Sequence, residues 1–267
     1  MGDSPQDSTD PRRPASELGP GTLPVPPAAD PLFVGISAIC DTVVRLTGVD
    51  GAAVAVLAPS MGVRELVYAT DALAQQLDEL QFTLGEGPCV DAYQRGHPQM
   101  FPSLGAQGFE ARWPAFTAEL VALGVAAVFA YPVPGDHRPL GVLELYRRTE
   151  GRLSELEQGS AQVCATALQT TLESNWHEHL AQSTSEQAAV DAAAVQGGGP
   201  MDPFTRTQVH VAAGMIAVQL NLPTTDALDR LRAHAFAQRR SIVAVAADVV
   251  ARRLSFRDLD DDPGTPL

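Results

Sequence analysis

Residues 126–133 (AAVFAYPV) and 140–148 (LGVLELYRR) flank the turn-forming residues 134–139 (PGDHRP). Both flanking segments are short and rich in Val, Leu and aromatic residues. Pro, Gly and Asp separate them, which is the pattern of an antiparallel β-hairpin. Other strand-like segments occupy residues 51–59, 65–70 and 99–102. The hairpin therefore predicts that these strands join one antiparallel sheet.

Helical patterns precede, interrupt and follow the strands. Apolar residues recur at helical spacing in residues 31–48, and residues 71–81 and 113–124 are helical segments between strands. Ser154 and Glu157 form a capping box that begins a long helix, predicted to run to about residue 195. Its predicted apolar stripe consists of Leu156, Val163, Ala167, Leu168 and Leu172. This order predicts an α+β domain in which helices flank an antiparallel sheet.

The C-terminal region contains three helical patterns, at residues 204–220, 224–240 and 241–254. Thr224 or Thr225 is the predicted N-cap of the second helix, and Ser241 that of the third. The predicted core residues are Val209, Ala212, Ile216, Leu220, Leu228, Leu231 and Ala235. Because the loops are short, we expect a compact, all-α three-helix unit.

The net charge of −14 is distributed unevenly along the 267 residues. Residues 1–200 hold 10 Arg and 24 Asp plus Glu, a balance of −14, whereas residues 201–257 hold 8 Arg and 4 Asp, a balance of +4. The tail at residues 258–267 adds −4. A basic helical unit attached to an acidic body favours nucleic-acid binding.

Two groups of residues in the basic unit are candidates for polynucleotide contact. One is a stripe that lies beside the core stripe of the first helix. It is basic at one end and nearly without side chains at the other. A polynucleotide backbone or another helix could therefore approach it closely. Its members are Arg206, His210, Ala213, Gly214 and Ala217. The second group could neutralise phosphates and comprises Arg232, Arg239, Arg240, Arg252 and Arg253. The alternative is that these arginines only solvate a helical bundle.

Residues 85–91, GEGPCVD, combine two glycines, a thiol and two carboxylates. No His or Asn partner of a catalytic cysteine can be identified, and the Lys-Ser/Thr of a phosphate-binding loop is missing. We therefore expect a Gly-Pro turn that enters a helix with Cys89 packed inward, and no enzymatic activity. Cys89 remains a candidate sensor position, and no cofactor is indicated.

No metal site is predicted. Cys40, Cys89 and Cys164 lie far apart without a C-x-x-C pair. The histidines of WHEH, residues 176–179, are two positions apart and do not share a helix face. Residues 1–29 are rich in Pro, Ser, Asp and Gly and are predicted to be disordered. Because no apolar run is long enough to span a membrane and the N-terminus lacks a signal-peptide pattern, we expect a cytoplasmic protein.

Residues 209–250 resemble the ANTAR domain, the RNA-binding three-helix module of transcription antitermination regulators. The matching runs are Ala212-Ala213-Gly214-Met215, Ala227-Leu228-Asp229-Arg230-Leu231-Arg232 and Ala247-Asp248-Val249-Val250. Many ANTAR sequences carry Lys at the position of Ala213 and an aromatic residue at that of Leu228.

Residues 30–175 resemble the GAF domain that precedes ANTAR in actinobacterial regulators. The matching segments are residues 83–104, 113–116, 127–133, 140–148 and 151–157. This resemblance implies a sheet with flanking helices, a small-molecule, redox or dimerisation role, and a homodimer.

The predicted organisation has five parts. They are a disordered segment at 1–29, a GAF sensor domain at 30–175, a helical linker with a Gly-rich break at 176–203, an ANTAR domain at 204–257 and an acidic tail at 258–267. The predicted RNA contacts are Arg206, His210, Ala213, Gly214, Arg232, Arg239 and Arg240. The predicted function is antitermination through RNA hairpins, in response to an unidentified signal. Two alternatives stay open, a DNA-binding helix-turn-helix regulator and a redox sensor that uses Cys89.

Overall fold

The computed structural model describes residues 31–58, 63–105, 109–185 and 206–257. The predicted disordered segment at 1–29, the linker beyond Ser185 and the acidic tail lie outside the described residues.

Within the described residues, five strands form a single antiparallel sheet in the order β2-β1-β5-β4-β3. Their bounds are β1 Gly51–Ala58, β2 Val63–Ala69, β3 Gln99–Phe101, β4 Ala127–Val133 and β5 Gly141–Arg147. β4 and β5 pair from Val133 with Gly141 to Ala127 with Arg147. The hairpin prediction is confirmed.

Helices cover both faces of this sheet. Their bounds are α1 Ile36–Thr47, α2 Ala72–Leu84, α3 Pro88–Arg95, α4 Phe109–Arg112, α5 Pro114–Ala122 and α6 Glu155–Gln182, with a 3-10 helix at Pro31–Phe33. Phe129 and Leu145 belong to a core that includes residues of α1 and α6. Val128 and Tyr146, on the opposite face, pack with residues of α2, α4 and α5. Residues 31–182, called here the α+β domain, confirm the predicted fold class.

Helix α6 confirms one prediction and contradicts two. Ser154 and Glu157 form the capping box. The helix ends at Gln182 and not near residue 195, because Ser183 has extended backbone, where the helical hydrogen-bond pattern stops. Leu156 is 81% exposed, and Val163 is exposed too, so neither lies in the core. The buried face is instead formed by Ala161, Cys164, Ala165 and Leu168.

Three helices follow at the predicted positions: α7 Thr207–Leu220, α8 Thr224–Ala237 and α9 Ile242–Val250. Residues 206–257 are called here the C-terminal bundle. Its core contains most of the predicted residues, with Leu220 and Leu228 partly buried. Ser241 caps α9 by accepting from the amide of Val243, as predicted, whereas the N-cap of α8 is Pro223 and not a threonine. Among the described helices, none has the combination of length and hydropathy needed to cross a bilayer.

Candidate functional site

The loop at residues 85–87 joins α2 to α3 and depends on its two glycines. Asp71 caps the start of α2 by accepting from the amides of Leu73 and Ala74. Gly85 ends the helix with φ of 70°, and Gly87 has φ of 130°. A side chain is unfavourable in both conformations. A Cβ at Gly87 would also lie 2.5 Å from Oε1 of Gln81, so the loop lies directly on α2.

A buried polar cluster lies beneath this loop. Gln81 of α2 donates from Nε2 to Oε1 of Glu144 at 2.7 Å and accepts at Oε1 from the amide of Cys89 at 2.8 Å. The same Nε2 lies 3.3 Å from Sγ of Cys89. All three side chains are buried, and Cys89 is only 1% exposed. Buried polar groups need partners, so Gln81 holds α2, α3 and β5 together.

The two carboxylates of GEGPCVD are used within the domain. Oε1 of Glu86 accepts from the amide of Phe116, in the first turn of α5, at 3.0 Å. Asp91 forms ion pairs with Arg112 and with Arg95. This confirms the prediction of a turn that enters a helix with Cys89 packed inward.

The other two thiols lie between α1 and α6. Burial, and to a smaller extent Asp41 and Cys164, raise the pKa of Cys40 to about 12. Burial also raises the pKa of Cys164. Thiols with a raised pKa are poor nucleophiles. All three cysteines are buried, and none forms a disulfide with another. The part of the chain that the structure describes contains no group of three or more metal-ligating side chains.

An open polar depression lies at the other end of α2. It is lined by Asp50, Asp71, Tyr146 and Arg148, among others. The hydroxyl of Tyr146 donates to Asp71 at 3.0 Å. Burial, followed by Asp71, raises the pKa of Tyr146.

Four arginines lie at or just beyond the C-terminal ends of α8 and α9, and their surface is here called the basic end: Arg239, Arg240, Arg252 and Arg253. All four are exposed. Arg240 and Arg253 both donate to Asp248, at 2.6 and 2.8 Å, and these hydrogen bonds lower the pKa of Asp248. Because two guanidinium groups share one carboxylate and two more arginines adjoin them in sequence, this surface carries a local excess of positive charge.

The basic end also contains unusual backbone. Arg239 ends α8 with φ of 50°, and Arg252 follows α9 with φ of 58°. Glycine is the usual residue in this left-handed conformation at helix ends, since other side chains are strained there by roughly 1–2 kcal/mol. The chain therefore keeps two arginines where glycine would be more stable.

The remaining predicted RNA contacts do not belong to the basic end, although Gly214 lines the same open groove as Arg252. Gly214 is half-buried, and a Cβ added there would meet open space. His210 is half-buried, and burial together with Arg232 lowers its pKa. Ala213 is buried, and Arg206 is only 6% exposed. The structure thus brings Arg239 and Arg240 to an open surface but places Arg206 and Ala213 in the interior.

Arg206 lies between the bundle and α2 of the α+β domain. It donates to Asp78 at 2.6 Å and to Glu79 at 3.0 Å, and its guanidinium lies 4.2 Å above the ring of Phe82. Burial alone would lower the pKa of Arg206, but Asp78 and Glu79 raise it. Phe82 is itself buried and belongs to the core of the bundle.

Two further contacts extend this interface. The hydroxyl of Ser241 donates to Glu79 at 3.2 Å. The guanidinium of Arg232 packs on Gly85, where an added Cβ would come within 2.7 Å of it. Asp78, Glu79 and Phe82 are called here the α2 face. Of the residues predicted as a close-approach stripe, Arg206 thus contacts another helix of the same chain.

The model of the GAF domain matches residues 36–173, which is more than half of the chain. The chain belongs to the GAF domain family. Membership identifies the α+β domain as a signal-sensing module. It also assigns the polar cluster of Gln81, Cys89 and Glu144 to the interior of this GAF domain.

Two solved structures illustrate the comparison with known folds. One is a domain of a protein named as a two-component sensor histidine kinase from Sinorhizobium meliloti 1021. It is 17% identical, the match covers 55% of this chain and 94% of that chain, and the TM-score is 0.46. The other is the GAF domain region of a protein named as a membrane protein from Geobacter sulfurreducens PCA. It is 13% identical, the match covers 53% of this chain and 93% of that chain, and the TM-score is 0.45. A search of curated proteins found no match.

Sequence reasoning missed the residues that organise the GAF domain interior and the α2 face. Glu144 had a detectable signal. It lies in a strand whose neighbours on both faces are apolar, GVLELYR, so both faces are covered and its carboxylate is buried. The sequence contains no such signal for Asp78 and Glu79, because a charged pair on an amphipathic helix ordinarily faces solvent.

Proposed function

We propose that this chain is an RNA-binding transcription antitermination regulator, in which the GAF domain senses a signal and the C-terminal bundle binds RNA hairpins. The observation that carries the proposal is the basic end, on a bundle whose sequence resembles ANTAR. In this proposal the protein binds RNA without catalysing a reaction, and it acts in the cytoplasm.

The basic end is suited to a polyanion. Guanidinium groups bind phosphate oxygens through paired hydrogen bonds. Arg240 and Arg253 are already oriented by Asp248, so less side-chain freedom is lost when they bind. A phosphate could bridge them from solvent.

Hairpin binding would act on transcription by competition between RNA structures. A protein that holds one hairpin prevents the overlapping terminator hairpin from forming, and polymerase continues. The resemblance to GAF and ANTAR regulators further implies a homodimer, which would present two basic ends to paired hairpins.

A gel-shift titration with hairpin RNA at several salt concentrations tests the proposal. Arg239→Ala and Arg253→Ala should each weaken binding and lower the slope of log affinity against log salt by about one phosphate contact. Arg45→Ala is the matched control, because Arg45 is an exposed arginine of α1 in the GAF domain. Equal binding by all four proteins would refute the assignment of the basic end.

Competition with duplex DNA separates the proposal from a helix-turn-helix regulator. We expect hairpin RNA to displace labelled hairpin at lower concentration than duplex DNA of equal length. The opposite order would favour the DNA-binding alternative.

The input signal is proposed to reach the polar cluster in the GAF interior, where Gln81 contacts both Cys89 and Glu144. A redox input at Cys89 would require reagent access to a thiol that is 1% exposed. We expect Ellman's reagent to react at the same slow rate with the parent protein and with Cys89→Ala. A fast phase that is lost in Cys89→Ala would support the redox alternative.

A further inference from the structure

The GAF domain and the C-terminal bundle meet at the α2 face. Three kinds of contact converge on Arg206: two carboxylates at hydrogen-bond distance, an aromatic ring beneath the guanidinium, and nearly complete burial. A buried ion pair with this geometry forms only when both partners are held in place. The contact therefore belongs to a defined docked arrangement of the bundle and α2.

Phe82 shows that the docking surface is apolar as well as acidic. It is a residue of the GAF domain, yet it is buried among residues of the bundle, including Val209 and Leu231. If the bundle separated from α2, the phenyl ring would be exposed to water. An acidic pair beside an exposed aromatic ring is a surface that matches a basic, apolar helix end.

Docking also removes basic groups from the surface of the bundle. Arg206 is enclosed by the α2 face, and Arg232 packs on Gly85 while pairing with Asp229. A polyanion that approached this side would meet Glu79, which is 35% exposed, instead. Its carboxylate would repel phosphate.

We propose that the α2 face is an intramolecular binding site for the C-terminal bundle that competes with RNA for its Arg206 and Arg232 side. The inference rests on the proposed RNA-binding function and adds its regulation. Arg239, Arg240, Arg252 and Arg253 stay exposed in the docked form, so the docked protein retains the basic end, and undocking enlarges the RNA surface. Helix α2 also carries Gln81, one turn from Asp78 and next to Phe82, which connects the docking site to the GAF interior.

The test uses full-length variants of the α2 face, which leave the bundle sequence unchanged. Phe82→Ala removes apolar contact without a change in charge, and Glu79→Arg reverses one carboxylate of the interface. The control, Glu110→Arg, makes the same charge change at an exposed position of α4. Amide hydrogen exchange reports docking independently of RNA, and gel shift reports hairpin affinity.

Both α2 variants should speed exchange in α2 and at the start of α7, with β4 and β5 still protected. Both should bind hairpin RNA about tenfold more tightly than the parent, because undocking adds the phosphate contacts of Arg206 and Arg232 to those of the basic end. Glu110→Arg should match the parent in exchange and show at most a small gain in affinity.

Other results would overturn the inference. Unchanged exchange in both variants would show that the α2 face does not hold the bundle. Faster exchange with RNA affinity equal to that of the parent would show that docking does not compete with RNA. Absence of RNA binding in every protein, with exchange still faster, would refute the RNA function and with it the competition, but not the docking contact.

Discussion

Asp78 and Asp248 both bind arginine, but in opposite settings. Asp78 is 1% exposed and pairs with Arg206 between two domains. Asp248 pairs with Arg240 and with Arg253, which is 61% exposed, at the solvent-facing end of one domain. Solvent and salt screen an exposed pair but not a buried one. The buried pair can therefore hold a domain arrangement, whereas the exposed pair leaves its arginines available to a phosphate.

The largest difference is expected when the arginine of each pair is removed. Arg206→Ala leaves the Asp78 carboxylate buried without its cation, which costs about 3–5 kcal/mol as long as the bundle stays docked. Arg253→Ala should cost less than about 1 kcal/mol. Urea unfolding at neutral pH measures both losses. Equal losses would contradict the distinction between a buried and an exposed pair.

The next prediction concerns Glu65 of β2, near the buried pair. Burial raises its pKa from 4.5 to about 7, against a lowering effect of Arg206 and with smaller raising effects of Asp78 and Glu79. Because the folded state binds this proton more tightly, the free energy of unfolding should fall as pH rises from 4.5 to about 7, by at most about 3 kcal/mol.

Urea unfolding at about pH 5 and about pH 8 tests this sign. Glu65→Gln should reduce the fall in stability between the two conditions. Glu157→Gln is the control that should leave this fall unchanged, because hydrogen bonds with Ser154, and to a smaller extent Arg147, lower the pKa of Glu157 from 4.5 and confine its contribution to lower pH. The prediction would be contradicted if the free energy of unfolding changed by the same amount between the two pH values in the parent protein and in Glu65→Gln.

A smaller effect is expected at Ser241, which contacts both sides of the interface. Its hydroxyl accepts from the amide of Val243 and donates to Glu79. Ser241→Ala should cost about 1 kcal/mol through loss of the helix cap. Ser160→Ala is a suitable control, since that hydroxyl only bonds a carbonyl within α6. Thermal unfolding would show equal shifts for the two variants if the cap contributed nothing.

The smallest expected change in the free energy of unfolding is a gain. Arg239→Gly relieves left-handed backbone and should stabilise the protein by about 0.5–1 kcal/mol. The same change should weaken RNA binding, because it removes one cation of the basic end. Arg240→Gly, at a position without positive φ, should lose both stability and affinity. A destabilised Arg239→Gly protein would show that this side chain makes compensating contacts.

Local patterns predicted most of the secondary structure. The turn at 134–139 placed the central hairpin, and the capping box at Ser154 and Glu157 placed the start of α6. The predicted end of α6 was wrong, because no Gly or Pro follows Gln182 until Gly197, and the sequence therefore carries no strong stop signal where the helix ends. Leu156 and Val163 were misplaced because several apolar stripes fit one long helix, and only the packing of α1 and β4 selects among them.

The sequence by itself determined the α+β architecture, the core of the C-terminal bundle and the excess of arginine near the C-terminus, since periodicity, turn residues and charge are local properties. Only the tertiary structure decided that Arg206 is buried while Arg239 and Arg240 stay exposed. The partners of Arg206 lie 128 and 127 positions earlier in the chain, and no periodic pattern records such a contact. The same holds for Gln81 and Glu144, which are 63 residues apart and meet because β5 lies beneath α2.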